Sequence, residues 1–217
     1  MPAFTGTDLT CVRGERIVFA GLGFGLAAGG ALVLVGPNGS GKSSLLRLMA
    51  GLLPPAEGGL DWDGEAISED PESHGGRLHY VGHLDAVKPV LTVAENVQFW
   101  SGMRNGGKPS EEASLKALEV LGIAHLADIP GRFLSAGQKR RANLARILSA
   151  EAPLWLLDEP TTALDVAAIA ALEDAIGKHR AGGGMVVIST HADMALDDTQ
   201  TLDLDDFAHH SLPGSGA

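Results

Sequence analysis

The chain has 217 residues, 45% hydrophobic and 20% charged, a balance that supports one sizeable core and excludes a disordered or low-complexity polypeptide. Asp and Glu outnumber Lys and Arg by 27 to 16, and the formal charge of -11 argues against a sequence-blind nucleic-acid binder, which needs net cation density to displace counterions. A single cysteine, Cys11, permits no intrachain disulfide and fits a reducing compartment. The opening Met1 to Asp8 holds no basic patch followed by an apolar run, so no secretory signal is expected and the chain is expected in the cytosol.

Between Arg16 and Lys42 there is no charged residue, but Gly21, Gly23, Gly25, Gly29 and Gly30 break the stretch, which predicts strand, turn and strand of a core sheet instead of a membrane span. Thr10 to Leu26, around the polar Arg13-Gly14-Glu15-Arg16, reads as a hairpin or two adjacent strands. Ala31 to Val35 is an uninterrupted aliphatic run, as expected for a strand covered on both faces. A glycine-rich loop follows. Leu45, Leu46, Leu48 and Met49 then recur at helical spacing and Gly51 suits a helix end.

Further strands are predicted at Leu60 to Trp62 and Leu78 to Val81, and helices at Val93 to Trp100 and Glu111 to Leu121, with Gly102, Gly106, Gly107 and Pro109 as the break between the helices. Residues 84–133 are read as a small helical insert. Sheet returns at Leu154 to Leu157 and at Met185 to Ile188, separated by a helical stretch from Val166 to Lys178. The whole chain, 1–217, is read as a single α/β domain. Its Gly/Ser/Pro end is expected to fray.

Gly36-Pro37-Asn38-Gly39-Ser40-Gly41-Lys42-Ser43 matches the G-x-x-x-x-G-K-[ST] pattern, between a predicted strand and a predicted helix. Glycines let successive backbone N–H groups converge on an anion at a helix N-terminus, where the dipole also favours negative charge. Lys42 supplies a point charge to the β- and γ-phosphates, the Ser43 hydroxyl suits one position on a Mg²⁺ ion, and Ser44 continues the first turn. ATP or GTP is the implied ligand. The aliphatic Leu154-Trp155-Leu156-Leu157 ends in Asp158-Glu159, which puts Asp158 at the metal and Glu159 where it can polarise a water against the γ-phosphate.

Leu134-Ser135-Ala136-Gly137-Gln138 resembles the LSGGQ signature of ATP-binding cassette (ABC) ATPases, with one glycine replaced by alanine. Ala163-Leu164-Asp165 resembles their D-loop and His191 their switch histidine. The resemblance implies a P-loop NTPase cassette with a RecA-like parallel-sheet core, an N-terminal antiparallel β subdomain and the helical insert. It also implies a head-to-tail homodimer in which Ser135, Ala136, Gly137 and Gln138 of one copy close over the ATP of the other, with Glu159 and His191 catalytic and Asp165 in the D-loop.

Two departures from the family stand out. His83 falls where a glutamine is usual, and Arg13 falls where an aromatic residue stacks on adenine. An imidazole can hydrogen-bond the attacking water or a metal's hydration shell, and a guanidinium plane can stack on a purine; Arg13 is otherwise an exposed turn residue. With Leu9 to Arg16, Gly82-His83 and Leu91 to Asn96, these departures resemble the cytochrome c maturation ATP-binding subunits, cassettes of a haem exporter. That narrower resemblance implies an ATPase peripheral to the cytoplasmic face of the inner membrane, working with integral membrane subunits. The eight histidines show no Cys/His pairing at metal-site spacing, so direct haem binding is not expected.

Leu84, Val87, Val90, Leu91, Phe99 and Trp100 form a candidate apolar groove for the membrane partner, or else pack the insert onto the core. Lys139-Arg140-Arg141 reads as a solvated helix face. The alternatives are another ABC exporter, a soluble ABC mechanoenzyme and a nucleotide-binding regulator. The first differs in cargo; the second lacks the long coiled-coil insertion or basic linker it would need; Glu159 and His191 speak against the third.

Overall fold

The computed structural model describes residues 2–104, 108, 110–190 and 194–208. In chain order the elements are β1 (Pro2–Arg13), β2 (Arg16–Ala27), β3 (Ala31–Val35), α1 (Lys42–Met49), β4 (Glu57–Trp62), β5 (Glu65–Ala66), α2 (Pro71–Gly76) and β6 (Leu78–Val81). Then follow α3 (Val93–Arg104), α4 (Glu111–Val120), α5 (Ala136–Leu148), β7 (Leu154–Asp158), α6 (Val166–Ala181), β8 (Met185–Ser189) and β9 (Thr199–Asp203).

The strands form two sheets, one antiparallel in the order β2-β1-β4-β5 and one parallel in the order β6-β7-β8-β3-β9. β7 and β8 are buried at every residue, which explains their unbroken aliphatic runs: a central parallel strand has no solvent face to leave polar. Phe4, Leu9 and Cys11 of β1 and Phe19, Leu22 and Leu26 of β2 enclose one core with Leu45, Leu46, Leu48 and Met49 of α1. On the other side, Leu118, Leu144, Ile147, Leu172 and Ile176 cover the parallel sheet. The P-loop helix therefore lies between the two sheets, and loops at the carboxyl ends of β3, β6, β7 and β8 open on the same side, where ligands bind in parallel α/β sheets.

Three elements were not anticipated. β9 (Thr199–Asp203) is an edge strand of Thr-Gln-Thr-Leu-Asp with no buried position, and only its pairing with β3 reveals it. β5 is a two-residue strand. α2 is built on Asp70-Pro71: Asp70 Oδ1 accepts from the Ser73 N–H at 3.0 Å, and proline suits the first helical position because it has no N–H to leave unpaired. Gly102 is no break, since α3 runs through it to Arg104, a tolerance that costs about 1 kcal/mol against alanine. Gly106, Gly107 and Pro109 lie outside the described residues.

Two histidines pack against aromatic rings, His74 buried and His179 half-buried. His74 Nε2 is 2.8 Å from the Met49 carbonyl oxygen and its ring stacks on Phe4; His179 lies 3.9 Å from the Trp155 ring at an interplanar angle of 6°. Burial pushes both imidazoles below their usual value of 6.5, against the opposing hydrogen bonds to Met49 and Met185. A folded form that resists protonation loses stability where the unfolded chain takes up protons. The midpoint of guanidinium unfolding is therefore expected to hold constant above about pH 6.5 and to fall below it; a midpoint unchanged down to about pH 5 would contradict this assignment.

Candidate active site

α1 is unlike its neighbours at its N-terminus. Asp70, Ser110, Ser135 and Asp165 cap α2, α4, α5 and α6 with side-chain oxygens, and Thr92 exchanges bonds with Glu95 at the start of α3. At the start of α1 stands Gly41, in the left-handed region at φ 108°, and it supplies no side-chain cap. The first N–H groups of α1 thus face the loop with no capping side chain, as an anion site requires. Gly41 is confined by packing as well as by φ, because a Cβ there would lie 2.7 Å from Val18 Cγ1.

Lys42 is buried, and its Nζ donates to the Gly36 and Pro37 carbonyls at 2.7 and 3.1 Å. The ammonium therefore sits within the turn of its own loop. Around the loop opens a cleft of about 590 Å³, lined by Asn38, Gly39, Gly41, Lys42, Ser43 and Ser44 with Arg13, Arg16, Val18, His83, Asp158, Glu159 and Thr162. Gly36, Pro37 and Ser40 do not line it and form the back of the loop. Arg16, Val18 and Thr162 were missed by sequence reasoning. Arg13 and Arg16 pair directly across the β1–β2 turn, so one arginine at the cleft mouth implies the other, a signal that the hairpin prediction already contained.

Asp158 ends β7 buried at 2% exposure. Its Oδ1 accepts from Ser189 Oγ at 2.6 Å, while among the described residues its Oδ2 has no hydrogen-bond partner. An orphaned buried carboxylate oxygen in the same cleft as the Ser43 hydroxyl suits a hard divalent cation that takes few protein ligands and keeps water and phosphate oxygens. Among the described residues no group of three or more His, Cys, Asp or Glu side chains is assembled to cage a metal.

Glu159 follows with φ 47°, a left-handed conformation that costs a non-glycine residue about 1–2 kcal/mol. It is fixed from both sides: its N–H donates to the Ser189 carbonyl at 2.9 Å and its own carbonyl accepts from Arg140 Nη2 at 2.7 Å. The carboxylate is thereby presented at the cleft on a pinned backbone.

The signature residues stand elsewhere. Ser135 Oγ accepts from the Gln138 N–H at 3.3 Å and Gln138 Oε1 from the Ser135 N–H at 2.8 Å, a reciprocal cap on α5. Among the described residues no acceptor takes the Ser135 O–H, and both Ser135 and Ala136 are exposed. A Cβ at Gly137 would meet the Ala163 carbonyl oxygen at 2.6 Å, so this glycine cannot follow its neighbour to alanine without moving the backbone. None of the four lines the cleft. Asp165 caps α6 through the Ala168 N–H and pairs with Arg141 at 2.5 Å; the Ala168 bond first, and the guanidinium after it, hold its carboxyl below the usual range against a burial penalty. His191 lies outside the described residues.

Lys139-Arg140-Arg141 is not a solvated face. Arg140 is buried at 3% exposure and Arg141 is ion-paired to Asp165, because α5 packs against the β7–α6 connection along that side. The candidate groove is divided: Leu84, Val90 and Phe99 are exposed, whereas Val87 packs against the core and Trp100 turns inward under the Arg146 guanidinium at 4.8 Å. Met103 and Phe133 add to the exposed apolar surface. Among the described residues no helix is long and apolar enough to cross a membrane.

A family model described as ABC transporter matches residues 19–162. The cytochrome c biogenesis ATP-binding export protein CcmA of Rhodospirillum rubrum is 64% identical over 205 residues, covering 94% of this chain and 87% of that protein. The protein of the same name from Paramagnetospirillum magneticum is 62% identical over 209 residues, covering 94% and 95%. Among solved structures, the ATP-binding subunit of an ABC transporter aligns with TM-score 0.78 at 25% identity over 87% of this chain and 79% of that one. A dimeric ATP-binding cassette in a post-hydrolysis state, bound to ADP and Pi, aligns with TM-score 0.76 at 25% identity over 87% and 88%. The parallel core, the antiparallel N-terminal sheet and the phosphate loop are those of an ATP-hydrolysing cassette, and the chain belongs to the ABC transporter ATPases, in the branch of the cytochrome c biogenesis ATP-binding export proteins.

Proposed function

We propose that this ATPase drives haem export or haem-chaperone release in cytochrome c biogenesis, docked on integral membrane subunits at the cytoplasmic face of the inner membrane. The observation that carries the ATPase core of this reading is the meeting of Lys42, Ser43, Asp158 and Glu159 in one cleft at the carboxyl ends of β3 and β7. Lys42 and the first turn of α1 bind the phosphates. Glu159 polarises the attacking water, and His83 hydrogen-bonds that water or the hydration shell beside it. Ser43 and Asp158 Oδ2 would hold Mg²⁺, which when bound would supply neutralisation of phosphate charge. Arg13 stacks on the adenine, with Arg16 paired beside it.

The signature stands apart from its own chain's cleft, which supports a head-to-tail homodimer: Ser135 offers a hydroxyl, and Gly137 a backbone N–H at a helix start, to the γ-phosphate held by the partner. Asp165 joins the two sites, and His191 completes the contact to the γ-phosphate. Residues 84–133 act as the helical insert that meets the membrane subunit through Leu84 and Val90. Haem itself need not touch this chain.

The test is a strain lacking the chain. It is expected to lose holocytochromes c, recover them with the parent sequence, and fail to recover them with Leu84→Asp/Val90→Asp, which should also cut co-purification with the membrane subunit more than about tenfold. Unchanged cytochromes in the deletion strain would defeat the haem reading, and unchanged co-purification would defeat the docking surface.

A further inference from the structure

The side chain of Arg140 does not line the cleft, yet all of its nitrogens are engaged on the chain segments that do. Nε donates to the Pro160 carbonyl at 3.3 Å, Nη1 to the Gly82 carbonyl at 2.9 Å and to Asp85 Oδ1 at 3.4 Å, and Nη2 to the Asp158 and Glu159 carbonyls at 2.6 and 2.7 Å. Three consecutive carbonyls, 158 to 160, converge on one guanidinium. A fourth belongs to Gly82, the residue before His83. A lysine could not replace this arrangement, because a compact ammonium has no planar fork to span separate chain segments.

The same helix meets the same connection twice more. Gly137 abuts the Ala163 carbonyl and Arg141 binds Asp165. Along its first half, α5 is therefore fastened to the stretch from Asp158 to Asp165, and α5 begins at the exposed Ser135. A bonded cluster of this density moves as a unit or not at all.

We propose that Arg140 is a positioning residue that locks the backbone of Asp158, Glu159 and Pro160 to the signature helix, so that engagement of Ser135 and Gly137 by a partner's nucleotide is transmitted to Glu159 of the same chain. The inference rests on the reading of Glu159 as the water-polarising group and of the signature as half of the partner's pocket. Arg140 acts through Glu159 and touches neither nucleotide nor water. Its hold on Gly82 brings His83 into the same unit, so both groups at the γ-phosphate side of the cleft respond together. In a homodimer the two hydrolysis events are then coupled, and the ATP dependence of the rate is sigmoidal.

The experiment uses the complete transporter complex, with rate measured against ATP concentration for the parent, Arg140→Lys, Arg140→Met, Asp85→Ala and Glu159→Gln. Both Arg140 variants are expected to lower kcat about a hundredfold, the scale of a roughly 1 Å misplacement, with KM within about threefold and the Hill coefficient reduced to one. Binding of a fluorescent ATP analogue reports that their clefts remain formed. Arg140→Lys with parental kcat and cooperativity overturns the proposal, and so does a loss carried wholly in KM. If neither Arg140 variant folds, Asp85→Ala decides: it removes the carboxylate that holds the guanidinium in this orientation and so loosens its hold on the carbonyls, so a reduced Hill coefficient with unaltered KM supports the coupling and fully parental kinetics overturn it. Glu159→Gln separates the two levels. If that variant hydrolyses ATP normally, the underlying reading fails; if it is inactive while Arg140→Lys is parental, only the coupling fails.

Discussion

Glu159→Gln is expected to slow ATP hydrolysis about a thousandfold, within the range for removal of a general base, or roughly 4 kcal/mol of barrier. The amide is nearly isosteric with the carboxylate, and the backbone at this position is pinned by the Ser189 carbonyl on one side and Arg140 on the other. The substitution therefore removes basicity and leaves the position of the group unchanged. The proposed site binds ATP through Lys42 and the start of α1, not through Glu159, so KM should stay within about threefold of the parent. If, as proposed, the γ-phosphate is held between two copies until cleavage removes it, the variant should also accumulate as an ATP-bound dimer, visible by light scattering. A rate within about tenfold of the parent would mean that the water is activated by another group.

Much of the site was legible because its chemistry is contiguous. The phosphate loop and Asp158-Glu159 each combine a strand, a turn and the reacting side chains within a few residues, so sequence order and spatial order coincide. Arg13 and His83, named only through family resemblance, line the same cleft. What was illegible is carried by backbone. Arg140 looked like part of a solvated basic run because its partners are mainly carbonyl oxygens, from Gly82 to Pro160, and a carbonyl leaves no mark in a sequence. β9 was missed for a similar reason: an edge strand without a buried face has no apolar period to read, and only the pairing with β3 defines it. Gly137 differs again. Its sequence neighbour is already alanine, and the Ala163 carbonyl that forbids the same change at 137 comes from a separate loop.

Lys42→Met separates ligand binding from stability, and its expected outcome runs against the intuition that losing a buried cation must harm the fold. The ammonium donates to two carbonyls of its own loop, and among the described residues no carboxylate forms a salt bridge with it. Removing it forfeits those bonds, about 1.5–3 kcal/mol each for charged donors, but also the several kcal/mol spent on keeping a charge out of water. Methionine is unbranched and of similar length, so the ligand-free Tm should move by no more than about 4 °C, roughly 1 kcal/mol in a chain of this size. With ATP the balance changes, because the proposed role of the lost cation is to face the phosphates: affinity should fall about a hundredfold, a difference of about 2.7 kcal/mol. At ATP a hundred times the parental Kd, the parent gains about 2.7 kcal/mol and the variant only about 0.4. The ATP-induced rise in Tm should then shrink from about 5–11 °C to about 1–2 °C. A variant whose melting temperature climbs with ATP as far as the parent's would show that the first turn of α1 holds the phosphates without the lysine, and Lys42 would lose its assigned role.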